Sequence, residues 1–150
     1  MSICFSKNFK YSEIACPHCG KDRPIEPQLT YLLQALRDKI NEPIYITIGG
    51  GIRCKKYNKR IGGYLDSPHL YGKAVDIYSK AIGIIGLAKK AKKIGFLRIG
   101  LYPFSHFIHV DVVEPYPSES WVRDVNGKYK YFKTLEEAIL EGEGIKNGSN

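Results

Sequence analysis

Residues 67–76 read Ser-Pro-His-Leu-Tyr-Gly-Lys-Ala-Val-Asp and place a histidine and an aspartate seven positions apart. On one regular strand, His69 and Asp76 would lie roughly 23 Å apart on opposite faces, at about 3.3 Å per residue. Gly72 stands between them and permits a reversal of the chain, since glycine adopts positive φ without steric cost. The stretch therefore predicts a turn that brings the imidazole of His69 back beside the carboxylate of Asp76.

Two carboxylates interrupt otherwise apolar strand sequences. Asp76 and Asp111 are each flanked by β-branched residues, and His109 lies two positions before Asp111 on the same strand face. A carboxylate in such a strand is paired, bound to a metal or exposed, and the alternation around Asp76 is also compatible with a solvated face. Two histidines and an aspartate from separate elements form the donor set of a catalytic zinc site, which leaves a fourth position open. His69, Asp76 and His109 are therefore candidate ligands.

The sequence around these motifs alternates between helical and strand patterns. Apolar residues at three- and four-residue spacing predict a leucine-rich helix over 27–40 and a lysine-rich amphipathic helix over 82–94. The Gly-punctuated basic segment 53–66 is typical of a loop or a short helical turn. Alternating β-branched residues predict four strands, over 44–48, 74–78, 97–102 and 107–113.

The C-terminal part of the chain is predicted to form a peripheral ribbon and then a short acidic helix from about Leu135, together spanning about 115–145. No internal repeat or low-complexity linker divides the chain. We therefore expect a single α+β domain over 1–150, with a core of about 8–130 and an antiparallel sheet flanked by helices.

The chain has 150 residues, of which 43% are hydrophobic and 25% charged, and a formal net charge of +8. This composition excludes a disordered chain, a collagen and a coiled coil. Between Arg53 and Arg98, twelve basic residues stand against two acidic ones. Such a segment attracts nucleic acid or an anionic wall polymer, but a solvated lysine-rich helix explains it equally well. The sequence shows neither a membrane-length apolar run nor a secretory signal, so we expect synthesis in the cytoplasm.

Cysteines occur at positions 4, 16, 19 and 54. Cys16-Pro-His-Cys19 has the spacing of half a zinc knuckle. Cys4 and Cys54 offer two further thiolates, but they do not form a second Cys-x-x-Cys pair. We therefore expect reduced, partly buried thiols rather than a structural zinc site.

The pattern Ser-x-His-x-x-Gly-x-Ala-x-Asp over 67–76, followed by His-Val-Asp over 109–111, resembles the zinc D-Ala-D-Ala carboxypeptidase family. That family includes phage cell-wall endopeptidases and shares its fold with the Hedgehog signalling domain. Further family motifs occur in the same order, namely Glu13-Ile-Ala-Cys-Pro-His-Cys-Gly, Arg53-Cys54, Asn58 with Gly62-Gly63, and Gly100-Leu-Tyr-Pro. The resemblance covers about residues 8–130. It implies a Hedgehog/DD-peptidase-like fold and one zinc ion (Zn2+) per chain, held by His69, Asp76 and His109.

The resemblance also implies roles for residues beside the zinc ligands. Arg53 stands where the family has an arginine that binds the substrate's carboxylate, although it also fits as one more cation of the basic segment. Ser67 and Tyr102 are further expected substrate-binding residues, and Ser67 is alternatively a residue that orients a ligand imidazole. The family's Ser-Gly-Tyr-Arg is Gly-Gly-Ile-Arg over 50–53, which would remove a hydroxyl and an aromatic ring from the pocket.

Two residues are candidates for proton transfer. His106 lies three positions before the last zinc histidine, where enzymes of the family often carry a Glu or Asp base. A neutral histidine can do the same work, provided that His106 lies before the strand or in a bulge, because a regular strand would turn its ring toward the core. Asp111 either takes the proton or orients a ligand imidazole.

These expectations lead to three hypotheses of function. The first is a zinc metallopeptidase that hydrolyses peptide bonds in peptidoglycan stem peptides or cross-bridges. It would be a monomer that acts on the cell wall in bacterial wall remodelling, after phage lysis or from a virion.

The second hypothesis is a non-catalytic protein of the same fold that binds wall peptides, because the carboxylate base is missing. The third is a nucleic-acid-binding module that uses the basic segment and its tyrosines, but the sequence has no motif that reads a nucleic-acid groove. We favour the first, with no membrane span and no nucleic-acid partner.

Overall fold

The succession of helices and strands expected from the sequence is present in this computed structural model, which describes residues 3–20 and 24–147. In chain order the elements are β1 (Cys4–Ser6), β2 (Phe9–Lys10), α1 (Tyr11–Ile14), α2 (Pro27–Ile40), β3 (Ile44–Ile46), α3 (Lys55–Arg60), a 3-10 turn (Pro68–Tyr71), β4 (Ala74–Ser79), α4 (Ile84–Ile94), β5 (Arg98–Tyr102), β6 (Phe107–Asp111), β7 (Ser120–Arg123), β8 (Tyr129–Phe132) and α5 (Leu135–Asn147). Within the two described ranges, no helix combines the length and the apolar character that crossing a bilayer requires.

A six-stranded sheet in the order β3-β4-β6-β5-β7-β8 forms the centre of the fold, and β1 pairs with β2 as a separate hairpin. Strands β5 and β7 run parallel, whereas the other neighbours in the large sheet are antiparallel. The parallel pair arises because the chain reverses between β5 and β6 and reverses again before β7. The expected α+β class is confirmed, with this one parallel pair in the sheet.

Helices α2 and α4 pack against one face of the sheet. The three- and four-residue spacing in α2 turns Leu29, Leu33 and Leu36 inward, and all three are fully buried. Ile77 and Ile108 enter the same core from the strands. Each buried leucine contributes about 1.5–3 kcal/mol to stability. Because strand side chains alternate between faces, the polar residues next to these isoleucines point to the opposite side of the sheet.

The C-terminal ribbon belongs to the main sheet and is not peripheral to it. Strand β7 pairs with β5 so that Trp121 lies opposite Gly100, and β8 pairs with β7 so that Tyr131 lies opposite Trp121. Helix α5 follows the ribbon and buries Leu135 and Ala138 in the core. The ribbon therefore presents Trp121 and Tyr131 on the same sheet face as the polar residues of β4 and β6, whereas Val122 faces the core.

Candidate metal centre and substrate cavity

The turn predicted between His69 and Asp76 is present. It begins after Ser67, whose Oγ accepts a hydrogen bond from the backbone N–H of His69 at 3.3 Å. Gly72 ends it with a φ of 66°, and a Cβ at this position would collide with the carbonyl oxygen of Pro24. The reversal at Gly72 places Nε2 of His69 3.3 Å from Oδ1 of Asp76.

Strand pairing brings the third candidate ligand to the same point. Asp76 on β4 lies opposite His109 on β6, and Nδ1 of His109 is 3.1 Å from Oδ1 of Asp76. Tetrahedral zinc with bonds of about 2.0–2.2 Å separates neighbouring ligand atoms by about 3.3–3.6 Å, which is close to the distances found. His69, Asp76 and His109 are 3%, 5% and 6% exposed. Their donor atoms all lie within 4.8 Å of one another, so the three residues fit one zinc ion.

Hydrogen bonds on the far side of each imidazole determine which nitrogen faces Asp76. The Gly51 carbonyl can only accept, so Nδ1 of His69, 2.9 Å away, carries the proton and Nε2 carries the lone pair. Nε2 of His109 donates to Oδ2 of Asp111 at 2.7 Å. Metal-binding histidines commonly donate their other ring N–H to a carbonyl or a carboxylate in this way. The two rings are thus oriented for metal binding.

The three buried groups shift one another's pKa values. Burial is the main cause that lowers the pKa of His69. Burial opposes the charge on Asp76, but the two neighbouring imidazoles outweigh it and hold the pKa of Asp76 well below its usual range. Burial likewise opposes the charge on His109, yet hydrogen bonds to Asp111 and Asp76 raise the pKa of His109 to about 9. Metal binding at Nδ1 of His109 therefore competes with a proton.

Arg53 lies beside the ligand cluster and not among the exposed lysines of α3. Its Nη2 donates to Oδ2 of Asp76 at 3.2 Å, and its Nε donates to the carbonyl of Gly49 at 2.8 Å. Nη1 donates to Oδ1 of Asn58 at 3.3 Å. Asn58 is itself buried and donates to the carbonyl of Tyr64 at 2.7 Å. The guanidinium is thus held in a fixed position next to Asp76.

A cavity of about 750 Å³ opens at the three candidate ligands. Arg53, Ser67 and Tyr102, the expected substrate-binding residues, all line it. The remaining wall is largely aromatic and basic, with Tyr64, Trp121, Tyr129, Tyr131, Arg98 and Arg123. The structure therefore brings the candidate ligands and the expected substrate-binding residues to one cavity.

Trp121 is a site residue that the sequence analysis did not identify. Gly100 lies between His109 and Trp121 in the strand pairing, and a Cβ on Gly100 would collide with Nε1 of the indole. The indole therefore lies across the glycine with its ring centroid 5.0 Å from that of His109. Its N–H donates to the hydroxyl of Tyr102 at 3.2 Å. The sequence does contain one signal for this packing. Arg98, Gly100 and Tyr102 alternate along β5 and so lie on one face, where the glycine leaves room for a large neighbouring side chain.

Asp111 lies behind His109, on the side of the ring opposite Asp76. It is fully buried, and its carboxylate accepts hydrogen bonds from Nε of Arg98 at 3.0 Å and from the backbone N–H of Val113 at 3.1 Å. Arg98, a second residue that the sequence analysis missed, also brings Nη2 to 2.8 Å from Oδ2. With its oxygens engaged in this way, Asp111 holds the His109 ring in place, and its role in proton transfer stays a prediction.

His106 does not reach this site. It precedes β6 in a left-handed conformation with a φ of 58° and is exposed. The tight turn directs it to a different cavity, which Tyr78 and Phe104 also line. His106 does lie before the strand, as the base hypothesis requires, but the left-handed turn places it away from the candidate ligands. The expectation that it acts as base at this centre stays a prediction, and this turn does not support it.

The residues that depart from the family pattern over 50–53 are packed inside the protein. Ile52 is 1% exposed and belongs to the hydrophobic core. Gly50 is tightly packed, because a Cβ there would collide with the Thr47 hydroxyl and lie 2.8 Å from the Asp76 Cβ. Neither residue lines the cavity of this chain, and the expected effect of the departure on substrate binding stays a prediction.

The chain matches the family described as Peptidase M15 over residues 7–111, a range that includes the three candidate ligands and Arg53. A zinc D-Ala-D-Ala carboxypeptidase from Streptomyces albus G is 31% identical over 107 residues, which is 64% of this chain and 41% of that relative. The chain thus spans less than half the length of this relative. Because the family match extends over more than half of the chain, and its donor set fits a zinc ion, the chain belongs to the peptidase M15 family.

Proposed function

We propose that this chain is a zinc-dependent peptidase that hydrolyses peptide bonds in peptidoglycan stem peptides or cross-bridges, as a D-Ala-D-Ala-type carboxypeptidase or an endopeptidase. The observation that carries the proposal is the convergence of His69, Asp76 and His109 in the cavity that Arg53 lines. Zinc held by these residues supplies a Lewis acid for the scissile carbonyl. The family and the carboxypeptidase relative support the same chemistry.

Arg53 is the proposed receptor for a carboxylate of the substrate. A guanidinium has five N–H donors, and the carbonyl of Gly49 and the side chains of Asn58 and Asp76 occupy one donor on each nitrogen. One N–H on each terminal nitrogen remains, so two donors are available for a carboxylate of the substrate. These fixed partners prevent the guanidinium from swinging, so the substrate's carboxylate is held at a set distance from the metal ligands.

Tyr102 and Ser67 are proposed to bind the peptide backbone. Burial raises the pKa of Tyr102 well above its usual range, so the phenol stays protonated. The N–H of Trp121 donates to the phenol oxygen, and we propose that the phenol proton is donated to a peptide carbonyl of the bound substrate. Ser67 accepts through Oγ from His69 N–H, which leaves its own hydroxyl proton available to the substrate. Both side chains therefore offer donors to the substrate in a partly apolar cavity.

The shape and charge of the cavity suit an extended peptide that carries a carboxylate. Trp121, Tyr129 and Tyr131 form an aromatic wall, and Arg98 and Arg123 add positive charge. The described residues of one chain suffice to build the cavity, which supports action as a monomer. We propose that the chain reaches the wall after phage lysis or from a virion.

The position of His106 favours a second candidate function, a wall-peptide-binding protein without catalysis. His106 lines another cavity, and the carboxylates that line the site are Asp66 and Asp76 among the described residues. Asp76 is a proposed ligand, and Asp66 accepts a hydrogen bond from the Tyr71 hydroxyl at 3.0 Å. A base in the position usual for the family is thus missing from the described cavity.

Digestion of purified peptidoglycan by the zinc-loaded chain distinguishes the candidates. Release of free D-Ala identifies a carboxypeptidase, and new internal amino termini identify an endopeptidase. The His69→Ala variant is the matched control and is expected to release neither product. If the zinc-loaded wild type binds wall peptides but yields no new termini, the peptidase proposal is overturned in favour of the binding protein.

A further inference from the structure

Three cysteines from two distant segments meet beside α1. The Sγ atoms of Cys16, Cys19 and Cys54 all lie within 4.8 Å of one another. Backbone pairing creates this meeting, because Ile52 N–H donates to the carbonyl of Ile14 at 2.7 Å and so places the next residues against the end of α1. The sequence spacing led us to expect separate thiols, whereas the fold assembles a cluster.

We propose that Cys16, Cys19 and Cys54, with His18 as the fourth ligand, bind a second and structural zinc ion. Three thiolates and one imidazole form a closed donor set of the kind that structural zinc sites use. Zinc–sulfur bonds of about 2.3 Å in a tetrahedron separate neighbouring sulfurs by about 3.8 Å, so small shifts bring the three sulfurs to this spacing. Nδ1 of His18 already lies 3.4 Å from Sγ of Cys54.

The hydrogen bonds around the sulfurs are those expected of thiolate ligands. The backbone N–H of Cys54 donates to Sγ of Cys16 at 3.4 Å, and the backbone N–H of Tyr57 donates to Sγ of Cys54 at 3.4 Å. Gly20 N–H donates to the carbonyl of Cys16 at 2.8 Å and closes the turn that carries Cys19. Such contacts orient and stabilise metal-bound sulfur.

Burial and ligand number favour a metal over a disulfide. Cys16 and Cys54 are 1% and 8% exposed, and Cys19 is partly buried. A disulfide would join two of these sulfurs and leave the third thiol in the same small space. A metal ion takes all three.

This second zinc would hold the loop that builds the catalytic centre. Cys54 is adjacent to Arg53, the proposed substrate receptor, and Gly51 in the same loop accepts the hydrogen bond that orients His69. The cluster ties this loop to Cys16, 38 residues earlier in the chain. The cysteine site is therefore a positioning site for the cavity and takes no part in bond cleavage.

Zinc counting on the purified full chain tests the proposal independently of peptidase activity. We expect two zinc ions per wild-type chain and one per Cys54→Ser chain. Cys4→Ser is the matched control and should keep two, because Cys4 is exposed and outside the cluster. The His69→Ala/His109→Ala double variant should keep one zinc, bound by the cysteines, so failure of the peptidase site and failure of the cysteine site give different results.

Cobalt substitution provides a second measurement that does not require a variant to fold. Cobalt-loaded wild type should show an intense ultraviolet thiolate-to-cobalt charge-transfer band, and a thiol-specific mercurial should release one metal ion per chain. The absence of that band, or a zinc content that Cys54→Ser leaves unchanged in folded protein, would overturn the proposal. A disulfide between Cys16 and Cys54 in freshly purified protein would overturn it as well.

Discussion

Asp111 accepts a hydrogen bond from Nε2 of His109 at 2.7 Å, on the side of the ring that faces away from Asp76. This contact fixes the ring so that Nδ1 points toward Asp76 and His69. The carboxylate is in turn held by Arg98. The orientation of one proposed ligand thus depends on two residues that lie outside the ligand set.

Replacing Asp111 with alanine should weaken zinc binding at the catalytic centre. Loss of a carboxylate that orients a ligand histidine costs about 10- to 100-fold in metal affinity. Competition with a chelator in the presence of the intact cysteine site measures the effect. Asp111→Asn keeps an acceptor for Nε2–H and should bind zinc more tightly than Asp111→Ala. Equal zinc affinity in Asp111→Ala and wild type would show that Asp111 does not orient the ligand.

Removing the Arg98 guanidinium should make the metal-free protein more sensitive to acid. Burial opposes ionisation of Asp111, but hydrogen bonds from His109 and Arg98 outweigh it and lower the pKa of Asp111. A lowered pKa contributes stability above the unfolded value of about 3.9, and this stability is lost as the pH falls through the folded pKa. In Arg98→Met the pKa of Asp111 rises, so acid unfolding should begin at higher pH.

The loss of stability near neutral pH in Arg98→Met should be at the lower end of about 3–5 kcal/mol for a broken buried ion pair, because the Arg98 side chain is 22% exposed. Circular dichroism during acid titration measures the shift. Arg123→Met removes another arginine of the cavity wall and serves as the control. Identical acid transitions in the two variants would contradict the prediction.

Arg53→Ala should impair catalysis while keeping zinc. Its two remaining N–H donors are proposed to bind the substrate's carboxylate, and loss of hydrogen bonds to a charged group lowers kcat/KM by about 10- to 100-fold. Steady-state kinetics on a wall peptide and metal analysis of the same sample check both parts. Lys55→Ala, at an exposed neighbouring position, should behave as wild type. Full activity in Arg53→Ala would place substrate recognition elsewhere.

His106→Ala should turn over at the wild-type rate, because His106 lies in a separate cavity. A positioned general base contributes about 100- to 10,000-fold to the rate, so the assay separates the two outcomes clearly. A loss of that size with normal zinc content would restore His106 as the base and require the turn before β6 to rearrange when substrate binds.

Gly100→Ala should displace Trp121 from His109. The new Cβ would collide with the indole nitrogen, and overpacking of this kind costs about 1–3 kcal/mol. Trp121 is the sole tryptophan of the chain, so its fluorescence reports the displacement directly. Gly86→Ala on α4 is the control, since a Cβ there meets no atom within 4 Å. An unchanged emission spectrum in Gly100→Ala would contradict the proposed packing.

Local patterns account for the parts of the fold and site that the sequence predicted. Leucine spacing placed α2 at its observed bounds, and Gly72 indicated the turn that returns His69 to Asp76. The three candidate ligands follow from that turn and from one antiparallel pairing of neighbouring strands. Such features depend on short stretches of chain, so the sequence carries them directly.

The features that the sequence did not predict depend on contacts between distant segments. The cysteine cluster requires the backbone pairing of Ile52 with Ile14, and the position of Trp121 requires β7 to lie beside β5. No periodicity specifies either contact. The position of His106 has a local cause, because its left-handed φ of 58° is uncommon for a residue other than glycine and sequence alone gave no sign of it.

The metal ligands and the aromatic wall come from different parts of the chain. The ligands lie within residues 7–111, which match the family, whereas Trp121, Tyr129 and Tyr131 lie on the ribbon beyond that range. Trp121 is the point where the two parts meet, because its indole packs 5.0 Å from the ring of His109. The ribbon thus supplies one wall of the cavity from a stretch of chain separate from the one that supplies the candidate ligands.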